Sequence, residues 1–435
     1  MKHPRTAAGL AFAALTITGC AAERSAPLVT RPPPPSTTTT TEPPPTTIAE
    51  TIPEPPSTTD PPATTTTAPA ARPAAWAEFD EALASRMLGS GDFAVSVAVA
   101  VDGNLVHTGA FGYRVPPRYV PPRGGGTIEG PAAAAPPTKV PSRRPDGVER
   151  TDRFRIASIS KILTATVVLQ LVESAYLSLD QPVGRLLADH VGVRVADPAV
   201  AGITVRQLLS HTSGLSGYHD LFFGGGADSC PSAARAGLSG RLVAPPATRY
   251  IYSNLGYCLL GLLVEQVTGR PYEVEVRERL LEPLGITGMR MAATFDPNPG
   301  EVQHPSVPTR NYMEVLAAAG AWTATPADLV RILDALDPAK PGWHPLSARM
   351  LDLMRRPMPT VPYPRSAEHW YGLGLIVSTD GSWGHTGTVE STHAMVLARP
   401  DGVTWSLLVS GNYPWETDDL RRIFDETVAA AGVRF

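Results

Sequence analysis

The sequence predicts an α+β domain: one antiparallel sheet built from strands at both ends of the folded region, with a largely helical middle. Three observations carry this. Phe93 to Val101 and Leu105 to Tyr113 are two apolar runs around Asp102-Gly103-Asn104, a turn sequence that tolerates the positive φ of hairpins. Tyr371 to Asn412 holds alternating and apolar runs separated by Gly and Asp-Gly turns, which suits three antiparallel strands. Between these regions the apolar residues recur at steps of three and four, the spacing of helices.

Along the chain, Met1 to Cys20 has basic Lys2 and Arg5, then an apolar run from Ala7 to Ile17 too short to span a membrane stably; this is the layout of a secretory signal. Its end, Ile17-Thr18-Gly19-Cys20, resembles a bacterial lipobox, in which the cysteine becomes the lipidated N-terminus. The alternative is an ordinary cleaved signal with an incidental cysteine. Residues 21–75 shift to Pro, Thr and Ala, with almost nothing apolar to bury, and read as an extended, solvated spacer of the kind that is O-glycosylated. The expected domain therefore covers 76–435, held to a membrane through Cys20 on the extracytoplasmic side.

Trp76 to Leu88 reads as an amphipathic helix, with Trp76, Phe79, Leu83 and Met87 on one face. Residues 115–149, rich in Pro, Gly, Ala and Arg and without periodicity, read as an inserted surface loop. The next helix is expected from about Ser158 to Glu173; its apolar residues cover most of the circumference, so it should be buried. Further helices suit Val205 to Leu209, Leu255 to Thr268, Tyr272 to Leu281, Pro326 to Leu336 and Thr417 to Ala431.

Composition excludes several functions. A net charge of -4 argues against nucleic acid as a partner, and no later stretch is apolar and long enough for a membrane span. The ten histidines form no His-Glu-x-x-His or His-x-His pattern, so neither metal nor cofactor is expected. Gly-x-Ser-x-Gly, the mark of an α/β-type Ser-His-Asp hydrolase, is absent.

The basic residues are more telling. Of 37, only four are lysines: Lys2, Lys139, Lys161 and Lys340. A guanidinium cannot lose its proton in a protein, whereas a desolvated ammonium can, so a lysine kept among arginines points to a base. Lys161 follows Ser158 by three positions at a helix start, where unpaired N–H groups and positive potential favour an oxyanion and a neutral amine. Tyr252-Ser253-Asn254 ahead of an apolar helix supplies a phenol and an amide, and Gly384-His385-Thr386-Gly387-Thr388 a histidine on a strand whose glycines admit a ligand to the backbone. Each pattern alone is weak.

Together, in this order, they resemble the serine β-lactamase and penicillin-binding family, with its Ser-x-x-Lys, Tyr-x-Asn and Lys-Thr-Gly or His-x-Gly motifs. Phe154-Arg155-Ile156-Ala157, Leu177-Ser178-Leu179-Asp180-Gln181-Pro182-Val183, Ile203-Thr204-Val205-Arg206-Gln207-Leu208-Leu209-Ser210-His211-Thr212-Ser213-Gly214-Leu215 and Tyr371-Gly372-Leu373-Gly374 are similar to its class C branch. That branch includes class C β-lactamases, D-alanyl-D-alanine carboxypeptidases, D-aminopeptidases and certain esterases. The resemblance covers about Trp76 to Phe435. It implies an α/β/α sandwich of the β-lactamase/transpeptidase type, Ser158 as nucleophile, Lys161 and Tyr252 as general base and acid, Asn254 as a substrate-positioning amide, and an oxyanion hole from the backbone N–H groups of Ser158 and Thr388. His385, Thr386, Gly387 and Thr388 would border the substrate. Peptidoglycan stem peptides or small acyl compounds would be substrates, and β-lactams covalent ligands.

Two departures bear on substrate. His385 stands where β-lactamases usually have lysine and holds a carboxylate less firmly, which disfavours efficient β-lactamase activity. Pro246-Ala247 replaces the usual Pro-Gly before the tyrosine. A pocket kept for cell-wall sensing without turnover is a further reading, ranked lower because every motif side chain is present. If Cys20 carries lipid, Cys230 and Cys258 alone remain in an oxidising compartment, either as one disulfide or as two buried thiols.

Overall fold

In the computed structural model, residues 74–115, 147–217, 219–306, 311–358, 361 and 368–435 are described. The expected signal segment with Cys20, the expected spacer up to residue 73 and residues 116–146 of the expected insert lie outside them. Strands β1 (Ala94–Val101) and β2 (Asn104–Gly112) form the expected hairpin; β3 (Phe154–Arg155), β4 (Arg290–Met291) and β5 (Trp322–Ala324) form a small sheet; β6 (His369–Tyr371), β7 (Ile376–Ser378), β8 (Trp383–Val389), β9 (Thr392–Ala398) and β10 (Val403–Ser410) complete the large one. The large sheet runs β2-β1-β10-β9-β8-β7-β6, so the hairpin from the start of the domain pairs with the last strand. The C-terminal region holds five strands rather than three: β8 to β10 are the long runs, and the short β6 and β7 precede them.

Alternation sorts the two faces of this sheet. Val95, Val97 and Val99 of β1 and Trp405, Leu407 and Val409 of β10 pack with Trp76, Phe79, Leu83 and Met87 of the helix Ala74–Gly89 and with Leu420, Ile423 and Phe424 of the helix Asp419–Ala430. Ala74 and Ala75, assigned above to the spacer, already belong to that first helix. On the opposite face β1 presents Ala98 and Ala100, small enough for Ala327 and Val330 of the helix Pro326–Leu336 to lie against them. Helices on both faces make the α/β/α sandwich.

The helical middle centres on two segments. Ser160–Glu173 buries eleven of its fourteen residues, as its all-round apolar sequence requires. Asn254–Thr268 starts at Ser253, whose hydroxyl accepts from the Gly256 N–H, and ends at Gly269, left-handed at φ 69° as helix C-terminal glycines commonly are. Its Cys258 is disulfide-bonded to Cys230 of the helix Cys230–Leu238, with Cα atoms 5.7 Å apart, so the bonded alternative is the one formed. The expected Tyr272 to Leu281 helix is α-helical only to Val276 and continues as a π turn from Arg277 to Leu281. The insert departs and returns at one place: Tyr113 bridges Gly147, and the Val148 N–H donates to the Gly112 carbonyl.

Phe424 stacks on Trp405 with ring centroids 4.2 Å apart and meets Phe79 edge-on at 5.8 Å, tying the last helix to the sheet and to the first helix. Phe424→Ala is expected to lower the unfolding free energy by about 3–5 kcal/mol through lost transfer and cavity energy, read as a lower midpoint in urea with an unchanged slope.

Candidate active site

Ser158 is carried into the gap between the sheet and the helical layer by a short, constrained approach. Phe154 and Arg155 pair with Ala324 and Thr323 of β5, and the Ile156 N–H donates to the Trp322 carbonyl. Ala157 then takes φ 45°, a left-handed conformation sparse for a residue with a β-carbon. This turns the chain from strand to helix within one residue. Ser158 therefore lies in a single 3-10 turn, Ala157–Ile159, and the α-helix starts at Ser160 rather than at the serine. β8 passes directly over this turn. A β-carbon at Gly387 would collide with the Ile156 carbonyl, so only glycine allows that approach.

Lys161 is completely buried. Its Nζ lies 3.0 Å from Ser158 Oγ, 2.9 Å from Asn254 Oδ1 and 2.7 Å from the Ala319 carbonyl oxygen. The last two groups only accept at these atoms, so they take two N–H bonds. The third position on the nitrogen faces the serine, as an N–H in the ammonium and as a lone pair in the amine. Burial lowers the Lys161 pKa well below the ordinary lysine value. The amine is thus the form the site favours, with its lone pair on Ser158.

On the other side of the serine, the Tyr252 hydroxyl donates to Ser158 Oγ at 2.7 Å. Burial raises the Tyr252 pKa, so this phenol keeps its proton at neutral pH. The two partners of Ser158 are therefore matched as acceptor and donor. Tyr252 and Asn254 flank Ser253, the N-cap of the Asn254–Thr268 helix, which is why one helix start delivers both.

His385 sits on β8 and is buried. Its Nδ1 faces the Thr386 carbonyl, which can only accept, so Nδ1 carries the proton and Nε2 accepts from the Tyr371 hydroxyl at 3.0 Å. Burial lowers its pKa to about 3, leaving a neutral ring with both nitrogens engaged. Thr386 and Thr388 pair with Met395 and His393 of β9, and alternation puts their side chains on the face opposite His385 and Gly387. The Thr388 hydroxyl is bonded to Thr417, which in turn bonds His393 Nδ1. Both threonine side chains are thus directed away from the face that carries His385 and Gly387.

The structure thus brings Ser158, Lys161, Tyr252 and Asn254 into direct hydrogen bonding, with Gly387 against the Ser158 turn and His385 joined to Tyr371. It also supplies groups that side-chain motifs do not announce. The Ala319 carbonyl holds Lys161, and its neighbour Ala318 is held by the Thr164 hydroxyl, itself bonded to Tyr272, which accepts from Trp322 Nε1. Tyr371, Thr164 and Tyr272 are buried hydroxyls, a class whose partners sequence does not reveal. Among the described residues, no group of three or more His, Cys, Asp or Glu is placed to hold a metal ion, and no helix is long and apolar enough to cross a membrane.

Comparison with known proteins gives consistent matches. A family model described as Beta-lactamase matches residues 79–429. Penicillin-binding protein 4 of Amycolatopsis lactamdurans is 31% identical over 303 residues, covering 65% of this chain and 78% of that protein. Monacolin J acid methylbutanoyltransferase of Aspergillus terreus is 36% identical over 154 residues, but this is only 31% of this chain and 37% of that protein. Among solved structures, SurE with D-Leu aligns at 25% identity and TM-score 0.59 over 83% of this chain and 76% of its own. The D-amino acid amidase of Ochrobactrum anthropi SV3 with L-phenylalanine aligns at TM-score 0.62 and 21% identity, over 82% and 99%.

With four lysines in the chain, the Lys161 amine can be followed by itself. In protein labelled at lysine Cε, one NMR resonance is expected to titrate well below the ordinary lysine value, and to vanish in Lys161→Arg. A set of resonances that all titrate near the ordinary lysine value would contradict the burial argument.

Proposed function

The chain belongs to the Beta-lactamase family, and from that premise we propose that it is an exported serine hydrolase that works through a Ser158 acyl-enzyme, with D-alanyl peptides of the cell wall as acyl donors in a D-alanyl-D-alanine carboxypeptidase-like reaction. One observation carries the reading: Ser158 Oγ lies within hydrogen-bond reach of both a buried amine and a protonated phenol. As Ser158 attacks the acyl carbonyl, its proton passes to Lys161. The oxyanion faces the backbone N–H groups of Ser158 and Thr388, where one donor is typically worth about 2.7–4 kcal/mol in the transition state. Tyr252 protonates the departing group and regains its proton from the Lys161 ammonium. Water or an amine then attacks the ester, with the same groups acting in reverse.

Export and a lipid anchor at Cys20 belong to the same proposal and rest on the leader sequence. They would hold the domain outside the membrane at wall depth, where stem peptides are abundant. A second reading is favoured by His385. Its ring is neutral and both nitrogens are engaged, so it has no N–H left for a substrate carboxylate. That suits esters and amides, whose leaving groups carry no carboxylate, over peptides ending in free D-alanine.

A fluorescent penicillin or fluorophosphonate is expected to label wild type and not Ser158→Ala. Absence of label from both probes, together with no hydrolysis of a D-alanyl peptide or short ester, would overturn the catalytic reading. Release of D-alanine from a diacyl-D-Ala-D-Ala peptide, compared with hydrolysis of D-alanine amide and nitrophenyl butyrate, separates the two substrate readings. The rate should also rise with pH through the lowered Lys161 pKa, because only the amine accepts the serine proton. It should hold into alkaline solution, because the raised Tyr252 pKa keeps the phenol protonated.

A further inference from the structure

We propose that His211 is a positioning residue for Tyr252, fixing the phenol on Ser158 from both sides of its own peptide unit. The proposal rests on the acyl-enzyme reading above and adds a residue to which no role has so far been given. His211 lies just beyond the short helix Val205–Leu209 and is almost entirely buried, at 1% exposure. Its backbone is left-handed, φ 57°, a conformation uncommon outside Gly but one in which His, like Asn and Asp, is enriched. In that conformation its carbonyl accepts from the Ile251 N–H at 2.8 Å, while its ring Nδ1 accepts from the Ser253 N–H at 3.1 Å. The residues immediately before and after Tyr252 are thus both tied to one histidine. The imidazole also packs on the tyrosine itself, with ring centroids 4.2 Å apart, and reaches Tyr371, the partner of His385, at 4.6 Å.

The tautomer follows from the bonds. Nδ1 accepts, so the neutral ring carries its proton on Nε2, and this buried nitrogen has no hydrogen-bond partner among the described residues. Burial depresses the His211 pKa well below the ordinary histidine value, which keeps the ring neutral and Nδ1 available. An apolar ring would pack here without leaving an orphaned N–H, and a buried polar group without a partner needs a reason. The reason offered by the geometry is the Ser253 bond. Tyr252 must stay on Ser158 Oγ while it protonates a departing group, and Ser253 is also the cap of the helix that carries Asn254.

The test exploits the role of Tyr252 as an acid. A nitrophenolate leaves without protonation, whereas an amine or alkoxide does not, so a displaced phenol should slow amide and alkyl ester hydrolysis far more than nitrophenyl ester hydrolysis. His211→Gly keeps the left-handed backbone and removes both ring and acceptor; His211→Asn keeps the backbone and places Oδ1 near the position of Nδ1. Expected for His211→Gly is a fall in kcat on D-alanine amide of about a hundredfold, with KM little changed, a much smaller fall on nitrophenyl butyrate, and substantial recovery in His211→Asn. An equal loss on both substrates, a change in KM alone, or no difference between the two variants would overturn the proposal. Should His211→Gly not fold, His211→Gln is compared in wild-type and Tyr252→Phe backgrounds: its effect on amide hydrolysis should disappear without the phenol, and its persistence would overturn the proposal. Fluorophosphonate labelling of wild type separates the two levels. An unlabelled wild type removes the acyl-enzyme reading and this role with it; a labelled wild type with leaving-group-independent losses removes only the role of His211.

Discussion

An amine with no contact with water is the constraint around which this domain is arranged. Burying Lys161 demands acceptors for its N–H groups, because an unpaired polar group in the interior is costly. Two are provided from distant parts of the chain, the Asn254 amide oxygen and the Ala319 carbonyl. Each is fixed in turn: Asn254 by the capped start of its helix, and the turn holding Ala319 by Thr164, Tyr272 and Trp322. Gly374 shows how tightly the same helix is enclosed, since its α-carbon lies where any side chain would press into Ala165. The helix is apolar nearly all round because every direction from it is protein.

The large sheet contributes in a different way. β8 is held between β7 and β9 at its beginning but pairs with β7 only through Trp383 and Gly384, so beyond Gly384 it has no strand partner on that side among the described residues. Strand alternation then divides the third motif: His385 and Gly387 face the helical layer, Thr386 and Thr388 the terminal helices. A single register sets His385 beside Tyr371 and Gly387 against the turn that carries Ser158, and a slip of one residue would exchange the faces.

Much of this was legible in the sequence, and what escaped has physical reasons. The scarcity of lysine marked Lys161, apolar spacing gave the buried helix, and the hairpin turn gave β1 and β2. Ser158 proved to precede its helix by a 3-10 turn because Ala157 adopts positive φ, a conformation that tertiary contacts impose and alanine does not advertise. The Ala319 carbonyl could not be found from residue types, since every residue has one. His211 and Tyr371 lie in stretches that resemble the class C branch, yet only the folded geometry pairs one with the Tyr252 peptide and the other with His385. The Cys230 to Cys258 choice was open until the two helices were seen side by side. β6 and β7 were missed because strands of three residues are too short to show a period.

The bridge between Tyr113 and Gly147 has a consequence for how this scaffold can vary. Tyr113 and Gly147 face each other across this bridge, so the end of β2 and the start of the next described segment are held together whatever the number of residues between them. The entropic cost of such a closure grows slowly, about 0.6 kcal/mol for each doubling of length. A change in the number of residues between Tyr113 and Gly147 therefore costs the bridge little, and β2 and the Ser158 turn can tolerate large differences in length at this one point of the sequence.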